Sequence, residues 1–469
     1  MELASAARTL VLPYALVLLL GSIASAEIAV SGNDTKPKLT DGVVGVDPNR
    51  GPDNIVILDM KGPLPKVIGR VDNVPTSVVG PPSSVAITPD ESLALISAST
   101  KIDPSDPTKI ISDNALTVVD LKANPPAVIA TLEAGAGASG ISINKQGTLA
   151  LVANRNDGTV SIFTISGKTV TPAGKVDTGN PKSGPNHAAI SPDGKFALLT
   201  RFGDHMTSVL SIDGSKVEMT KRNIFAGLAP DAIEITPDGA WAVMASIGMG
   251  QGDADTISLI DLKLNPPRVV DTASVGQSPE HLTLSRDGKW IAVSVQNGSN
   301  RSRASGFFNP DGLVQIYTIK KRKLVKVTEA AQGGWPQGVA FSHDGKTLLA
   351  GNMVQHSVWV YTFDGKTLKK KGEIPMVGGS AGLRIAGGNW SDAEAGMERR
   401  TFLRAMPGGL LAASLAAGAQ PPRTSPRLGI LLTGSPSDPT QSRELEACVH
   451  ERLSALGWVE GRTLSVAAR

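Results

Sequence analysis

A short text repeated at near-constant spacing decides what this chain can become. Residues 185–213 read PNHAAISPDGKFALLTRFGDHMTSVLSID. A proline opens the stretch, apolar residues stand at Ala188 and Ile190, and Ser191-Pro192-Asp193-Gly194 supplies a tight turn. Proline fixes φ early in such a turn and glycine accepts positive φ. Two further β-rich runs follow, at 195–200 and 208–212. The same offsets return from Pro82 (Val85, Ile87, Pro89-Asp90), Pro230 (Ile233, Ile235, Pro237-Asp238-Gly239), Pro279 (Leu282, Leu284, Asp287-Gly288) and Pro336 (Val339, Phe341, Asp344-Gly345). A weaker copy opens at Ala138, and a truncated one at Ser380 carries Leu383 and Ile385. Openings about 50 residues apart have the period of propeller blades made of four short strands. The seven copies predict an all-β, seven-bladed β-propeller over 51–390.

The two ends of that region complete each other. NIVILD at 54–59 and the run at 66–71 match the third and fourth strands of a blade whose first two are missing, and 380–386 supplies an inner strand. A seventh blade stitched from both ends closes the ring and removes free sheet edges. Residues 27–50, polar and punctuated by Gly32, Asn33, Pro37 and Pro48, read as a mobile lead-in. The frequent turns account for 50 glycines and 32 prolines beside 4% aromatics. Cys448 is the only cysteine, so packing and ring closure, with no intrachain disulfide, must hold the fold.

Both flanks carry targeting features. Arg8, an apolar run over 10–23 and Ala24-Ser25-Ala26 read as a signal peptide over 1–26, and a retained anchor is the competing view. Cleavage there leaves a periplasmic or secreted protein with no stable membrane insertion. Residues 391–420 form a linker with a second signal-like segment, MERRTFLRAMPGGLLAASLAAGAQ from Met397, whose Arg399-Arg400 has the manner of a twin-arginine signal. RLGILLTGSPSD, an apparent helix over 441–456 and Gly457-Trp458 follow. Residues 421–469 thereby resemble the opening of a periplasmic substrate-binding protein of the ABC-transport type, too short to bury a core alone.

Strand order places function on one face. The loops entering first strands and those joining second to third strands emerge together, and the long insertions 97–114, 246–255 and 296–312 all lie there. The residue after each opening is Ser83, Ser139, Asn186, Asp231, Glu280, Gln337 or Ala381, polar in six of seven copies, and repeat geometry rings these around the channel mouth. His187 and His281 stand beside them, and the loop 201–207 adds Asp204 and His205. Two carboxylates and up to three imidazoles can hold a divalent metal that polarises a carbonyl or activates water. The same residues can equally bind water and cap backbone groups. In the insertion QNGSNRSRASGFFNPDG, Arg301, Arg303, Phe307 and Phe308 can grip an anionic or sugar-like ligand or a protein partner, or the aromatics can fold back to anchor the loop. A net charge of +3 and the export signal argue against nucleic acid.

LVANRNDGTVSIFTI at 151–165 and ALTVVDL at 115–121 resemble the YVTN family of propeller repeats, with Leu151-Val152-Ala153-Asn154 in place of the name-giving tetrapeptide. The larger group includes lactonase-type propellers. These readings leave two functions. The first is an exported module binding a partner or small ligand on the long-loop face. The alternative is a lactonase-like hydrolase at the channel mouth using Glu280, Asp231 and His187 or His281.

Overall fold

In the computed structural model, residues 27–62 and 64–386 are described, together with the backbone of two short strands, Arg427–Ile430 and Ser465–Ala468. Seven four-stranded antiparallel sheets stand around one axis, and no helix occurs among the described residues. Blade 1 holds Val85–Ile87, Leu93–Asp103, Asp106–Asp120 and Ala127–Glu133. The inner strands of blades 2 to 6 are Ala138–Ile143, Pro185–Ile190, Pro230–Ile235, Pro279–Leu284 and Pro336–Phe341. Each begins at an opening read from the sequence.

Blade 7 closes the ring. Its strands run Gly379–Ile385, Ile28–Asp34, Asn54–Asp59 and Lys66–Asp72, so Ala29 pairs with Ile385 on one side and Leu58 on the other. The expected mobile lead-in is thereby corrected: 28–34 is the second strand of this blade and is buried along its whole length. Ala29, Val56 and Leu58 pack against Ala340, Leu349 and Val358 of blade 6, and Ile28 and Val30 pack toward Val85 and Ile96 of blade 1. Core layers lie between successive blades throughout, as where Leu93 and Leu116 of blade 1 meet Ile141 and Phe163 of blade 2. Large apolar side chains buried this way contribute about 1.5–3 kcal/mol each.

Two insertions differ from expectation. Residues 97–114 are largely strand, because Leu93–Asp103 and Asp106–Asp120 extend as a long hairpin with Thr100 opposite Ser112. Between the second and third strands of blade 7, Pro37–Thr40 and Val43–Val46 form a separate hairpin. Asp41 at its tip accepts from the Ser302 hydroxyl at 3.0 Å and the Arg303 backbone N–H at 2.8 Å, tying it to the blade 5 insertion.

Residues 392–469 form a second unit. There Arg427–Ile430 and Ser465–Ala468 pair in parallel. The signal peptide, the signal-like segment and the helix expected at 441–456 lie outside the described residues.

Candidate functional site

The backbone aims one side chain from each of blades 2 to 6 inward by a repeated device. The residue before the opening takes a left-handed conformation in five blades: Gly137, Gly184, Ala229, Ser278 and Trp335 have φ of 73°, 59°, 51°, 52° and 49°. Its carbonyl accepts from the first loop residue after the second strand, as in Arg155 N–H to Gly137 and Gln296 N–H to Ser278. The strand pairing then skips, as between Pro185 and His187 or Pro279 and His281. A bulge of this kind re-aims a side chain, and the residue it frees is the one after the opening. Close approach at this level leaves little room. A Cβ on Gly140 would lie 2.6 Å from the Asn186 carbonyl oxygen.

The freed residues make a polar arc over blades 2 to 6, hydrogen-bonded in two groups. Arg155 donates through Nη1 to Asn186 Oδ1 at 2.7 Å, and Asn186 Nδ2 donates to Asp231 Oδ1 at 2.5 Å. Glu280 accepts from Gln296 Nε2 at 2.7 Å and from Gln337 Nε2 at 3.4 Å. The Arg155 guanidinium also lies 4.2 Å from the centroid of the Phe202 ring. Asn186, Asp231, Glu280 and Gln337 are all buried, and Asp231 Oδ2, Gln337 Oε1 and the Ser83 and Ser139 hydroxyls have no protein partner. On the blade 7 side the arc gives way to an apolar cluster of Val78, Trp335, Met353 and Ala381, with Leu39 of the hairpin packed against it.

Burial sets the protonation of this arc. It pushes Glu280 up to about 8, with the neighbouring charge of Asp231 adding to the rise, and hydrogen bonds from Gln337 and Gln296 and the charge of Arg155 opposing it. Burial likewise pushes Asp231 up to about 7, against the charge of Arg155 and the hydrogen bond from Asn186. The guanidinium of Arg155 is lowered by burial and raised by those two carboxylates, with burial the larger effect. Burial thus biases both carboxyls toward their protonated forms beside the Arg155 cation.

The other sequence-predicted residues go elsewhere. His187 accepts at Nδ1 from the Ile233 backbone N–H of the next blade at 3.5 Å, and His281 Nδ1 does the same for Val339 at 3.2 Å. Burial and then the charge of Arg384 hold both far below the ordinary histidine range, His187 at about 3. They are neutral links between blades. His205 accepts the Ala229 N–H at 3.1 Å, and Asp204 pairs with Arg201 and accepts from Asn180. Among the described residues no group of three or more His, Cys, Asp or Glu could hold a metal ion. Arg301 donates to Gln277 Oε1 at 2.9 Å and the Gly250 carbonyl at 2.8 Å, joining two insertions. Phe307 lies against Gly252 while remaining 51% exposed, and the Phe308 N–H donates to the Ser305 carbonyl. Arg303 is exposed and meets Asp41 through its backbone.

Sequence reasoning missed Arg155 and Gln296. Lining up the first residue after the second strand would have found them: Arg155, Phe202, Ile247, Gln296 and Met353 occupy that place in blades 2 to 6, and only the two are polar.

With this geometry in hand, the class is a seven-bladed β-propeller, one stretch of which is similar to a lactonase family. Residues 167–305 match the family model described as "Lactonase, 7-bladed beta-propeller". A Bacteroides uniformis protein proposed to be a 6-phosphogluconolactonase superposes with a TM-score of 0.58 at 15% identity, covering 77% of this chain and 99% of its own. A periplasmic gluconolactonase from Pseudomonas aeruginosa gives 0.54 at 16% identity over 77% and 99%. Hydrazine synthase from Kuenenia stuttgartiensis gives 0.51 at 22% identity over 65% and 88%. No curated protein matches the sequence. At these identities the likeness is one of fold, and hydrazine synthase sharing it means that function must be argued from the site.

Proposed function

We propose that this protein hydrolyses a small, uncharged, hydroxyl-bearing lactone at the long-loop end of its channel. The observation that carries the reading is the geometry of the buried arc, in which Asp231 keeps an unpartnered Oδ2 and is joined through Asn186 to Arg155, with the buried Glu280 beside it and both carboxyls pushed up by burial. Groups tuned to neutral pH suit proton transfer in both directions. Asp231 as carboxylate takes a proton from water as its oxygen attacks the lactone carbonyl carbon. Arg155 opposes the charge growing on the carbonyl oxygen, and protonated Glu280 gives its proton to the ring oxygen as the acyl C–O bond breaks. Lactone and water thus become a hydroxy acid. The unpartnered acceptors of Ser83, Ser139 and Gln337 suit substrate hydroxyls, and the apolar side at Trp335 and Met353 suits the face of a ring.

Charge favours an uncharged substrate. The cation of the arc is already offset by the Asp231 carboxylate, so a phosphate dianion would meet that carboxylate too. The lactonase family match and the gluconolactonase name of one structural relative support the reaction class. The export signal read in 1–26 supports a site of action outside the cytoplasm. The test is a substrate pair: glucono-δ-lactone should be opened faster than its spontaneous rate and faster than 6-phosphogluconolactone. A preference for the phosphorylated compound refutes the charge argument, and spontaneous rates with both refute hydrolysis.

One feature favours a second reading, recognition without turnover: the orphaned polar atoms of the arc are as suited to holding a polyol as to transforming one. In that case gluconate changes Trp335 emission while the lactone opens only at its spontaneous rate.

A further inference from the structure

The rim of the channel mouth is not equally open all round. Between the second and third strands of blade 7, the hairpin of Pro37–Thr40 and Val43–Val46 leaves the sheet, and both of its ends are tied down. At the base the buried Lys36 ammonium pairs with Asp34 at 2.8 Å and with Asp53, and it donates to the Thr76 carbonyl at 2.6 Å. The Asp47 N–H donates to the Lys36 carbonyl at 2.8 Å and closes the loop there. At the tip, Asp41 holds the Ser302 hydroxyl and the Arg303 N–H of the blade 5 insertion. Gly42 beside it has φ of 82°, and a Cβ there would run into the Ser302 backbone, so the tip lies directly on the insertion.

Between its two ties the hairpin has a covered face and a wet one. Pro37 is buried and Leu39 half-buried, while Lys38 and Thr40 are exposed, the alternation of a strand lying on something. What Leu39 lies on is the cluster of Val78, Trp335, Met353 and Ala381. Ala381 is the blade 7 counterpart of Asn186 and Asp231, so the hairpin sits where the ring of openings lacks a polar side chain. The returning strand Val43–Val46 runs beside Asp106–Asp120 of blade 1. One hairpin thereby meets blades 1, 5, 6 and 7. Over blades 2 and 3 the same connections are only the short turns 155–158 and 202–205, which open on Arg155 and Phe202.

We propose that this hairpin is a fixed strap that selects by size what reaches the arc. It closes the mouth over blades 5, 6, 7 and 1 and leaves the way in over blades 2 and 3, at Arg155. A segment held by buried ion pairs at its base and by hydrogen bonds to a carboxylate at its tip opens rarely. A monomeric ligand passes beside it, and a second sugar ring or a polymer chain meets it. Applied to hydrolysis, this narrows the substrates to free monomeric lactones and rests on the reading above; the limit on size stands without it.

Thiol labelling tests the limit without turnover. Cys448 is the only cysteine, so the parent protein carries Cys448→Ser with Glu280→Cys; Glu280 is, at 9%, the most exposed of Asn186, Asp231, Glu280 and Gln337. Methyl methanethiosulfonate is the small probe and a maleimide on a long polyethylene glycol the large one, each rate being divided by its rate with glutathione. On the parent the large probe should be at least about tenfold slower than the small one. Replacing residues 37–46 by Gly-Ser-Gly should raise the large-probe rate about tenfold or more and change the small-probe rate less than about threefold. Asp41→Ala keeps the hairpin, removes both hydrogen bonds at its tip, and should raise the large-probe rate about threefold or more. No labelling by the small probe, equal rates for the two probes on the parent, a large-probe rate that neither variant raises, or both probes accelerating alike would each overturn the proposal. Failure of the protein to open any lactone refutes hydrolysis and leaves the labelling result to decide the strap.

Discussion

Replacing Glu280 with glutamine is expected to stabilise the fold above pH 8. Burial raises the ionisation of this carboxyl from 4.5 to about 8, so the folded protein holds its proton more tightly than the unfolded chain does. The sign follows from linkage: the stability this provides is fully present below about pH 4.5 and is lost as pH rises through about 8. Each pH unit across that window removes about 1.4 kcal/mol, which sets a ceiling of roughly 4–5 kcal/mol between pH 4 and pH 9. Relaxation around the charge reduces this, and about 2–3 kcal/mol is the working expectation. Glutamine keeps the shape and a neutral carbonyl to accept from Gln337 or Gln296, so it escapes that loss. Urea unfolding at pH 5, 7 and 9 measures it. The two proteins should be within about 1 kcal/mol of each other at pH 5, and the variant should lead by about 2–3 kcal/mol at pH 9. A variant weaker by the same amount at every pH would show that the carboxylate is held in the fold as a charge, and would refute the reasoning.

Two further outcomes follow from the backbone. Deleting residues 28–34 removes the second strand of blade 7 and with it the buried Ile28 and Val30, each worth about 1.5–3 kcal/mol, uncovering Val85 and Ile96 on which they pack; the shortened protein should lose its cooperative thermal transition, and a transition unchanged in midpoint would contradict the closure. Ala229 holds φ of 51° before its bulge, and Ala229→Gly should be neutral or more stable by up to about 1 kcal/mol in urea unfolding, because relief of left-handed strain outweighs the added freedom of the unfolded chain.

The ring was legible in the sequence because its punctuation is chemical. Proline at an inner-strand opening and Asp-Gly in the following turn recur for conformational reasons, and Pro185 and Pro279 each begin a strand where the text predicts one. Ile28–Asp34 was not legible. IAVSGND ends in residues typical of turns, is separated from its sequence-near partner Asn54–Asp59 by an inserted hairpin, and pairs on its other side with the far end of the ring. Its burial comes from those partners and leaves no local signature. The polar arc could be read at Asn186, Asp231, Glu280 and Gln337 because the repeat offset fixes their place. The histidines next to them were open to misreading, because only the bulge decides that Asn186 and Glu280 reach inward while His187 and His281 turn to the neighbouring blade. Arg301 and Phe307 could be placed on a long loop from the sequence, with ligand contact and anchoring of the loop both open, whereas the loop's ties to Gln277, Gly250 and Gly252 leave no signal there.

The most direct measurement is the initial rate of glucono-δ-lactone opening, followed in a pH-stat at pH 7 for the wild-type protein and for Asp231→Asn with its fold confirmed by circular dichroism. Loss of a general base costs about 10²–10⁴ in rate, so kcat should fall at least about 100-fold with KM changed less than threefold or so. Equal rates in the two proteins, or a wild-type rate no higher than that of buffer, would contradict a catalytic arc at Arg155, Asp231 and Glu280.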